Sequence, residues 1–394
     1  MCSSLRFLIL TSDSGFGHRS AAQSVAKALS LLDPKGVDCT VVNPISTPPV
    51  SPFLQRVETS YDHTVTHYPS WYRLMYEISD TRQASTLMEN TLTRALHKNV
   101  RRLVEDVKPH VIVSTNQMLN APTGAALQTL PDRPPFFTIV TDLADVHSMW
   151  FNHAPNSFFV ATEEIRRKAI GCGISPRQIM VSGIPVDPLF AFGVPDRAAL
   201  RVRLGLDPEL PMFLYAASRR VSGVMAYLKA LEAVREPFQL VLTAGGDTDL
   251  YAQATSRNWR YPISIHNYIT NMPEWMLCAD ALLTKAGGLI LSEGLAAGLP
   301  IALVGHLPGQ EEGNVRFILK NRAGVRADRP AELSSLMNRW LSEEREGLRS
   351  TAARACAAGR PEAALEIGRV LWRAAADRQA KRDRQMDRRM FISI

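Results

Sequence analysis

No apolar run in this chain approaches the ~20 residues that a helix needs to cross a bilayer; the longest, such as residues 7–10 and 212–217, are a fraction of that. A membrane-spanning helix is therefore not expected. The first of these runs leads within a few residues into a glycine-bearing loop, which is not the layout of a secretory signal. Cysteine is scarce too: Cys2, Cys39, Cys172, Cys278 and Cys356 are scattered, odd in number and without metal-ligand spacing, so they read as ordinary thiols. A cytoplasmic location is the expectation. The charge imbalance is small, +7 over 394 residues, and it permits an anionic partner without demanding one. The basic and aromatic stripe of a nucleic-acid binder is missing, so nucleic acid is not an expected partner. No Asp-x-Asp pair of the metal-binding kind stands at a convincing strand end, and neither a metal nor another cofactor is expected.

What the chain does have is size and rhythm. With 46% apolar residues it can bury a large core, and at 394 residues two domains are the natural expectation. Strand-like and helix-like patterns alternate twice. Residues 5–10 read as a buried strand, and Ala21, Ala22, Val25, Ala26 and Leu29 form one helix face. VDCTVVNP, HVIVST, FFTIVTD, SFFVAT and IMVSG follow as short strands. GIPVDPLFAFGVPD, residues 183–196, holds Pro185, Pro188 and Pro195 and reads as a linker that continues neither element. A second set then runs through MFLYAAS, FQLVLTAGG, ISIHNYI, ADALLTKAGG and IALVG. The expectation is an α/β chain of two Rossmann-like domains facing each other across a cleft.

In such sheets ligands sit beyond the carboxyl ends of the strands, and a glycine loop stands there in each half. SDSGFGHRSAA, residues 12–22, places Gly15 and Gly17 between a strand and a helix start, where backbone N–H groups can approach an anion. His18 is the unusual member, because a loop that only cradled phosphate would gain more from Lys or Arg, whereas imidazole can take a proton near neutral pH. Two readings stand for it: a general base, or a helix-start histidine satisfied by a backbone carbonyl. TKAGGLILSEGLAAGLP, residues 284–300, repeats the arrangement with Gly287 and Gly288 at the turn and Glu293 a turn or so into the helix, suited to ribose hydroxyls. Each loop alone is equally explained by a tight strand-to-helix turn.

SDSGFGHRSAA, SWYRLMYEISD, TDLADVHSMWF, NMPEWMLCADALLTKAGGLILSEGLAAGLP and PGQEEGN occur in this order between residues 12 and 314. In these stretches the chain resembles the glycolipid-forming glycosyltransferases that include monogalactosyldiacylglycerol synthases and processive diacylglycerol glucosyltransferases, with the peptidoglycan lipid-linked GlcNAc transferase as a more distant relative. The resemblance implies a glycosyltransferase-B fold, a UDP-sugar donor bound by the C-terminal domain and a lipid acceptor, diacylglycerol or a related lipid, met by the N-terminal domain at a membrane surface. His18 matches the base of the family's GGGHR-type loop; Gly15 and Gly17 match its glycines, with Phe16 where a third is common. Gly287 and Gly288 match the diphosphate-facing helix start, Glu293 the ribose ligand, and Gln310 and Glu311 the pair that holds sugar hydroxyls, the alternative for the last two being a polar, helix-capping loop with no ligand. Arg219, beside Arg220 in YAASRRVSG, stands where relatives carry a glycine-rich loop and is assigned to the donor diphosphate, the alternative being that these arginines simply sit exposed. Asp142, His147 and Trp150 match a segment near the acceptor, where His147 is either a proton relay or glycerol ligand, or a buried core histidine.

The mechanism implied is direct displacement with inversion, giving a β-glycoside from an α-linked donor, with leaving-group charge met by backbone N–H groups and no metal. Residues 44–80, Pro-rich and then aromatic with Trp71 and Tyr72, suit either a membrane interface or a helix packed on the sheet. The basic stretch WRAAADRQAKRDRQMDRRM reads as a solvated, salt-bridged helix or as a contact for an anionic membrane surface. The expected division is an acceptor-binding domain over 1–190, a donor-binding domain over 191–365 and a basic helix over 366–394 able to pack back on the first domain. The expected location is cytoplasmic and peripheral, on the inner face of the cell membrane. The alternatives from other classes are a transferase or 2-epimerase of the same fold that uses UDP-GlcNAc, and a UDP-sugar-binding protein without catalysis.

Overall fold

The computed structural model describes residues 4–13, 16–47, 78–220, 222–307 and 311–392. They divide into two compact units, one running to Pro188 and completed by residues from Glu362 onward, the other comprising Leu189–Pro361. The division falls inside the proline-rich stretch, which is not wholly irregular: Leu189–Phe192 makes one helical turn within it.

The first unit is a parallel sheet of β1 (Leu5–Leu10), β2 (Val37–Val42), β3 (Val111–Ser114), β4 (Phe136–Ile139), β5 (Ser157–Val160) and β6 (Ile179–Val181), in the order β2-β1-β3-β4-β5-β6. Because β2 lies on one side of β1 and β3 on the other, the strand order reverses between β1 and β3, and the loops leaving these strands diverge there. Phe7, Leu8, Ile9 and Leu10 have no exposed surface, as a central parallel strand covered on both faces requires. Phe7 and Ile9 pack with Ala22, Val25 and Leu29 of helix α1 (Phe16–Leu32). Leu8 and Leu10 pack with Leu92, Leu96, Val100 and Val104, every fourth residue of α2 (Arg82–Val107). A third helix, α3 (Asn120–Gln128), follows β3.

The second unit repeats the plan with β7 (Met212–Ala216), β8 (Gln239–Thr243), β9 (Ile263–His266), β10 (Ala281–Lys285), β11 (Ile301–Gly305) and β12 (Gly324–Arg326), ordered β12-β11-β10-β7-β8-β9 and all parallel. Here the order reverses between β7 and β10. Helix α4 (Gly288–Ala296) lies so close to β10 that a Cβ on Gly294 would stand 2.7 Å from Leu282 Cδ2.

The last helix, α5 (Ala363–Ile392), belongs to the first unit. Ile367, Leu371 and Ala375, spaced by four, complete the core on the α1 side of the sheet. Helix α5 lies close to α1 at Gly368, where an added Cβ would stand 3.3 Å from Leu32 Cδ1, so that side chain would have to give slightly. Farther along, Gln379 Oε1 accepts from His110 Nε2 at 2.6 Å, and Arg378 and Arg382 each donate to Asp132 at 2.6 Å. Two arginines of the basic run are thus committed to the exposed carboxylate of Asp132, while Arg373, Lys381 and Arg384 remain exposed. Among the described residues no helix is long and apolar enough to cross a membrane, and Cys39, Cys172, Cys278 and Cys356 are free thiols.

Candidate active site

His18 stands in the first turn of α1, where the strand order of the first unit reverses. Its Nδ1 lies 2.7 Å from the Thr115 carbonyl oxygen, just after β3, and 2.8 Å from Thr141 Oγ1, just after β4. A carbonyl can only accept, so Nδ1 carries the ring hydrogen and the lone pair of the neutral ring sits on Nε2. The bland reading of His18, a ring satisfied by a backbone carbonyl, is therefore correct for one nitrogen and compatible with base chemistry at the other. Thr115 reciprocates by donating through Oγ1 to the His18 carbonyl at 3.1 Å. Nearby, Arg19 Nε donates to Asp13 Oδ1 at 2.5 Å and Asn43 Nδ2 to Asp13 Oδ2 at 2.9 Å. The Arg19 bond above all holds the Asp13 carboxyl below its ordinary value.

The segment after β4 supports one face of this histidine. The Trp150 ring, without exposed surface, has its centroid 6.2 Å from that of His18 at an interplanar angle of 46°. Trp150 Nε1 donates to Asp142 Oδ2 at 2.9 Å, and Asn120 Nδ2 donates to the Trp150 carbonyl at 3.1 Å. His147 caps the 3-10 turn that carries Trp150, its Nδ1 accepting from Met149 N at 3.1 Å. The hydrogen of that ring then sits on Nε2, 3.1 Å from Ser79 Oγ. Burial is the main cause that depresses the His147 pKa, outweighing the nearby Asp80 carboxylate. The structure thus places His147 as a buried capping residue, Asp142 on Trp150, and Trp150 against His18.

In the second unit the loops after β7, β8, β10 and β11 gather at the carboxyl edge of the sheet. Gly287 caps α4, and a Cβ there would fall 2.8 Å from Lys285 Nζ, so glycine leaves room for the lysine to lie across the helix start. Lys285 Nζ is bonded to Glu311 Oε1, and Glu311 Oε2 accepts from Leu307 N at 2.9 Å. Asn314 Nδ2 bonds the Ala286 carbonyl at 2.9 Å, joining the same turn. Glu293 lies on α4 with 7% of its surface exposed. Arg219 donates to the Gly246 carbonyl, linking the loops after β7 and β8. Gly245 and Gly246 have φ of 63° and 81°, and a Cβ on Gly245 would meet the Ala217 carbonyl oxygen at 2.8 Å, which explains two consecutive glycines there. Asp247 and Asp249 do form an Asp-x-Asp after β8, but Asp247 accepts from Leu250 N at 3.0 Å as a helix cap.

The sequence profile of the monogalactosyldiacylglycerol (MGDG) synthase family matches residues 18–186. A probable MGDG synthase 3, chloroplastic, of rice (Oryza sativa subsp. japonica) is 31% identical over 373 residues, covering 92% of this chain and 73% of the rice protein. The chain belongs to the MGDG synthase family. MGDG synthase 2, chloroplastic, of Arabidopsis thaliana is 29% identical over 372 residues, 91% of this chain and 79% of its own. Solved structures share the fold at lower identity. MurG of Acinetobacter baumannii superposes with a TM-score of 0.57 at 15% identity over 94% of this chain and 99% of that one. A putative UDP-N-acetylglucosamine 2-epimerase from Listeria monocytogenes gives 0.60 at 15% identity over 93% and 95%. The architecture is that of the glycosyltransferase-B fold.

Within this MGDG synthase family member the structure brings His18, Trp150 and Asp142 together in the first unit, with His147 supporting the turn. Gly17 lies beside His18 in the first turn of α1. It gathers Gly287, Gly288, Glu311 and Arg219 at the carboxyl edge of the second. Gly15, Trp71, Tyr72 and Gln310 lie outside the described residues. Reading residue by residue misses Thr115, Thr141 and Lys285. Only Lys285 carried a usable signal, a cation at a strand end directly before a glycine turn.

Proposed function

We propose that this chain transfers a hexosyl group from a UDP-sugar to the hydroxyl of diacylglycerol, with inversion at the anomeric carbon. The observation that supports it most is the tautomer of His18, whose basic nitrogen is Nε2 at the point where the first sheet's strand order reverses. The acceptor oxygen attacks the anomeric carbon while Nε2 takes its proton, and the bond from that carbon to the β-phosphate oxygen breaks. The charge left on the diphosphate is met by the N–H groups that start α4 and by Lys285, which exchanges Glu311 for phosphate; a metal has no part in the proposal. Glu293 takes the ribose, and Gln310 and Glu311 take sugar hydroxyls. Diacylglycerol is reached from a membrane surface by peripheral attachment through Trp71, Tyr72 and exposed basic residues of α5, on the cytoplasmic face.

The test is product analysis by mass spectrometry after incubating the chain with UDP-galactose, UDP-glucose or UDP-GlcNAc and diacylglycerol vesicles, with and without a chelator. A single hexosyl-diacylglycerol, formed equally in chelator, is the expected result. Absence of glycolipid with all three donors would overturn the proposal, and acceptor-independent epimerisation of UDP-GlcNAc would replace it with the epimerase reading.

A further inference from the structure

We propose that Thr141 is a positioning residue for His18: its hydroxyl and the Thr115 carbonyl together hold the imidazole with hydrogen on Nδ1 and the lone pair on Nε2. This rests on the transferase reading for its consequence, though not for its geometry. The two oxygens stand 2.7 and 2.8 Å from the same nitrogen, so the single N–H is shared between them. They come from segments following β3 and β4, while the ring comes from the helix following β1; in the sheet β1, β3 and β4 are consecutive. Three strands of one rigid sheet therefore fix the ring, the arrangement that keeps a reacting nitrogen in place.

Thr115 and Thr141 are not equivalent. The Thr115 hydroxyl is directed at the carbonyls of His18, at 3.1 Å, and Leu10, at 3.4 Å, so only its main-chain oxygen serves the ring. Thr141, 6% exposed, offers its side-chain oxygen. When Nε2 takes the acceptor's proton the ring becomes a cation, and the Nδ1–H bonds strengthen because their donor is now charged. An oxygen at Thr141 thus lowers the energy of the state in which the proton has moved more than that of the resting state, which is the condition for speeding the step.

The experiment compares Thr141→Val, which removes the oxygen at nearly constant volume, with Thr141→Ser, which keeps it. In the valine variant kcat should fall roughly ten- to a hundredfold, the scale of one hydrogen bond to a charged group, while KM for the UDP-sugar changes little and serine restores most of the rate. In the donor-free protein, the low-field proton resonance of His18 Nδ1–H, assigned by its loss in His18→Ala, should move upfield with valine and stay with serine. Near-normal kcat in the valine variant, an equal loss with serine, or an unmoved resonance would each overturn the proposal. The resonance needs no substrate: if it moves while the unsubstituted chain transfers no sugar, the ring-holding role stands and the transferase reading falls.

Discussion

A histidine can act as a base only when one nitrogen is committed to the protein and the other is presented to the substrate, and His18 meets the first condition through two oxygens. Replacing it with Ala should lower kcat by at least about a hundredfold while leaving UDP affinity nearly unchanged, since general-base catalysis is typically worth ~10² to 10⁴. Initial rates alongside UDP calorimetry check this, and normal turnover would remove His18 from the chemistry. Lys285 and Glu311 form the other decisive pair, with side chains 15% and 6% exposed. Lys285→Met leaves the Glu311 carboxylate buried and uncompensated, a loss of about 3–5 kcal/mol, whereas Lys285→Met with Glu311→Gln should recover much of the melting temperature but not the donor affinity. A double variant as unstable as the single one would show that the pair does not act as a unit. His18 was legible because its loop is short and chemically unusual. Its partners were not, since Thr115 and Thr141 lie 97 and 123 residues away and threonine after a strand is commonplace. Lys285 differs in having a local signal, a cation directly before a glycine turn, but its pairing with Glu311, 26 residues on, was not legible.

Elements were legible where they were long and buried. β1, β7 and the face of α1 follow from unbroken apolar runs and helical spacing, whereas β12, three residues with one of them glycine, offers no period to read. The turn Leu189–Phe192 was masked by the prolines on either side of it, Pro185, Pro188 and Pro195, each of which argues locally against a helix. In α5 the apolar stripe of Ile367, Leu371 and Ala375 is narrow and followed by dense charge, and nothing in it specifies which sheet it covers. The seat itself predicts a pH effect. His110, 1% exposed, accepts from Arg6 N through Nδ1 at 2.9 Å and donates from Nε2 to Gln379, so docking uses the neutral ring. Burial foremost, with Arg6, Arg382 and Arg378 adding to it, holds its pKa below the ordinary 6.5 despite the opposing Gln379 bond. As pH falls through that ordinary value the unfolded chain binds the proton before the folded one does, so this contribution is complete above it and is lost below it. Melting temperatures between about pH 5.5 and pH 7.5 should therefore drop more steeply toward acid than those of His110→Asn. Parallel curves would exclude His110 as the cause.

For the molecule as a whole, the two-unit plan was legible because the strand-and-helix rhythm restarts after a proline-rich stretch. The membrane reading belongs to this scale as well. If Trp71 and Tyr72 enter the interface while basic residues attract anionic headgroups, vesicle binding needs both contributions, because one modest anchor gives only marginal attachment. Trp71→Ser with Tyr72→Ser should reduce sedimentation with vesicles at any salt concentration and leave UDP affinity intact; anionic lipid should raise binding and salt should reverse the gain. Equal binding to neutral and anionic vesicles, or no effect of the double substitution, would favour a transferase with a soluble acceptor. The return of α5 to the first unit also has a bearing on how the protein is made. During synthesis the first sheet emerges from the ribosome early, but one side of its core lacks Ile367, Leu371 and Ala375 until the entire second unit has been translated. The first unit must therefore wait with an apolar face open while the second can already close, an interval in which a chaperone would find its natural client.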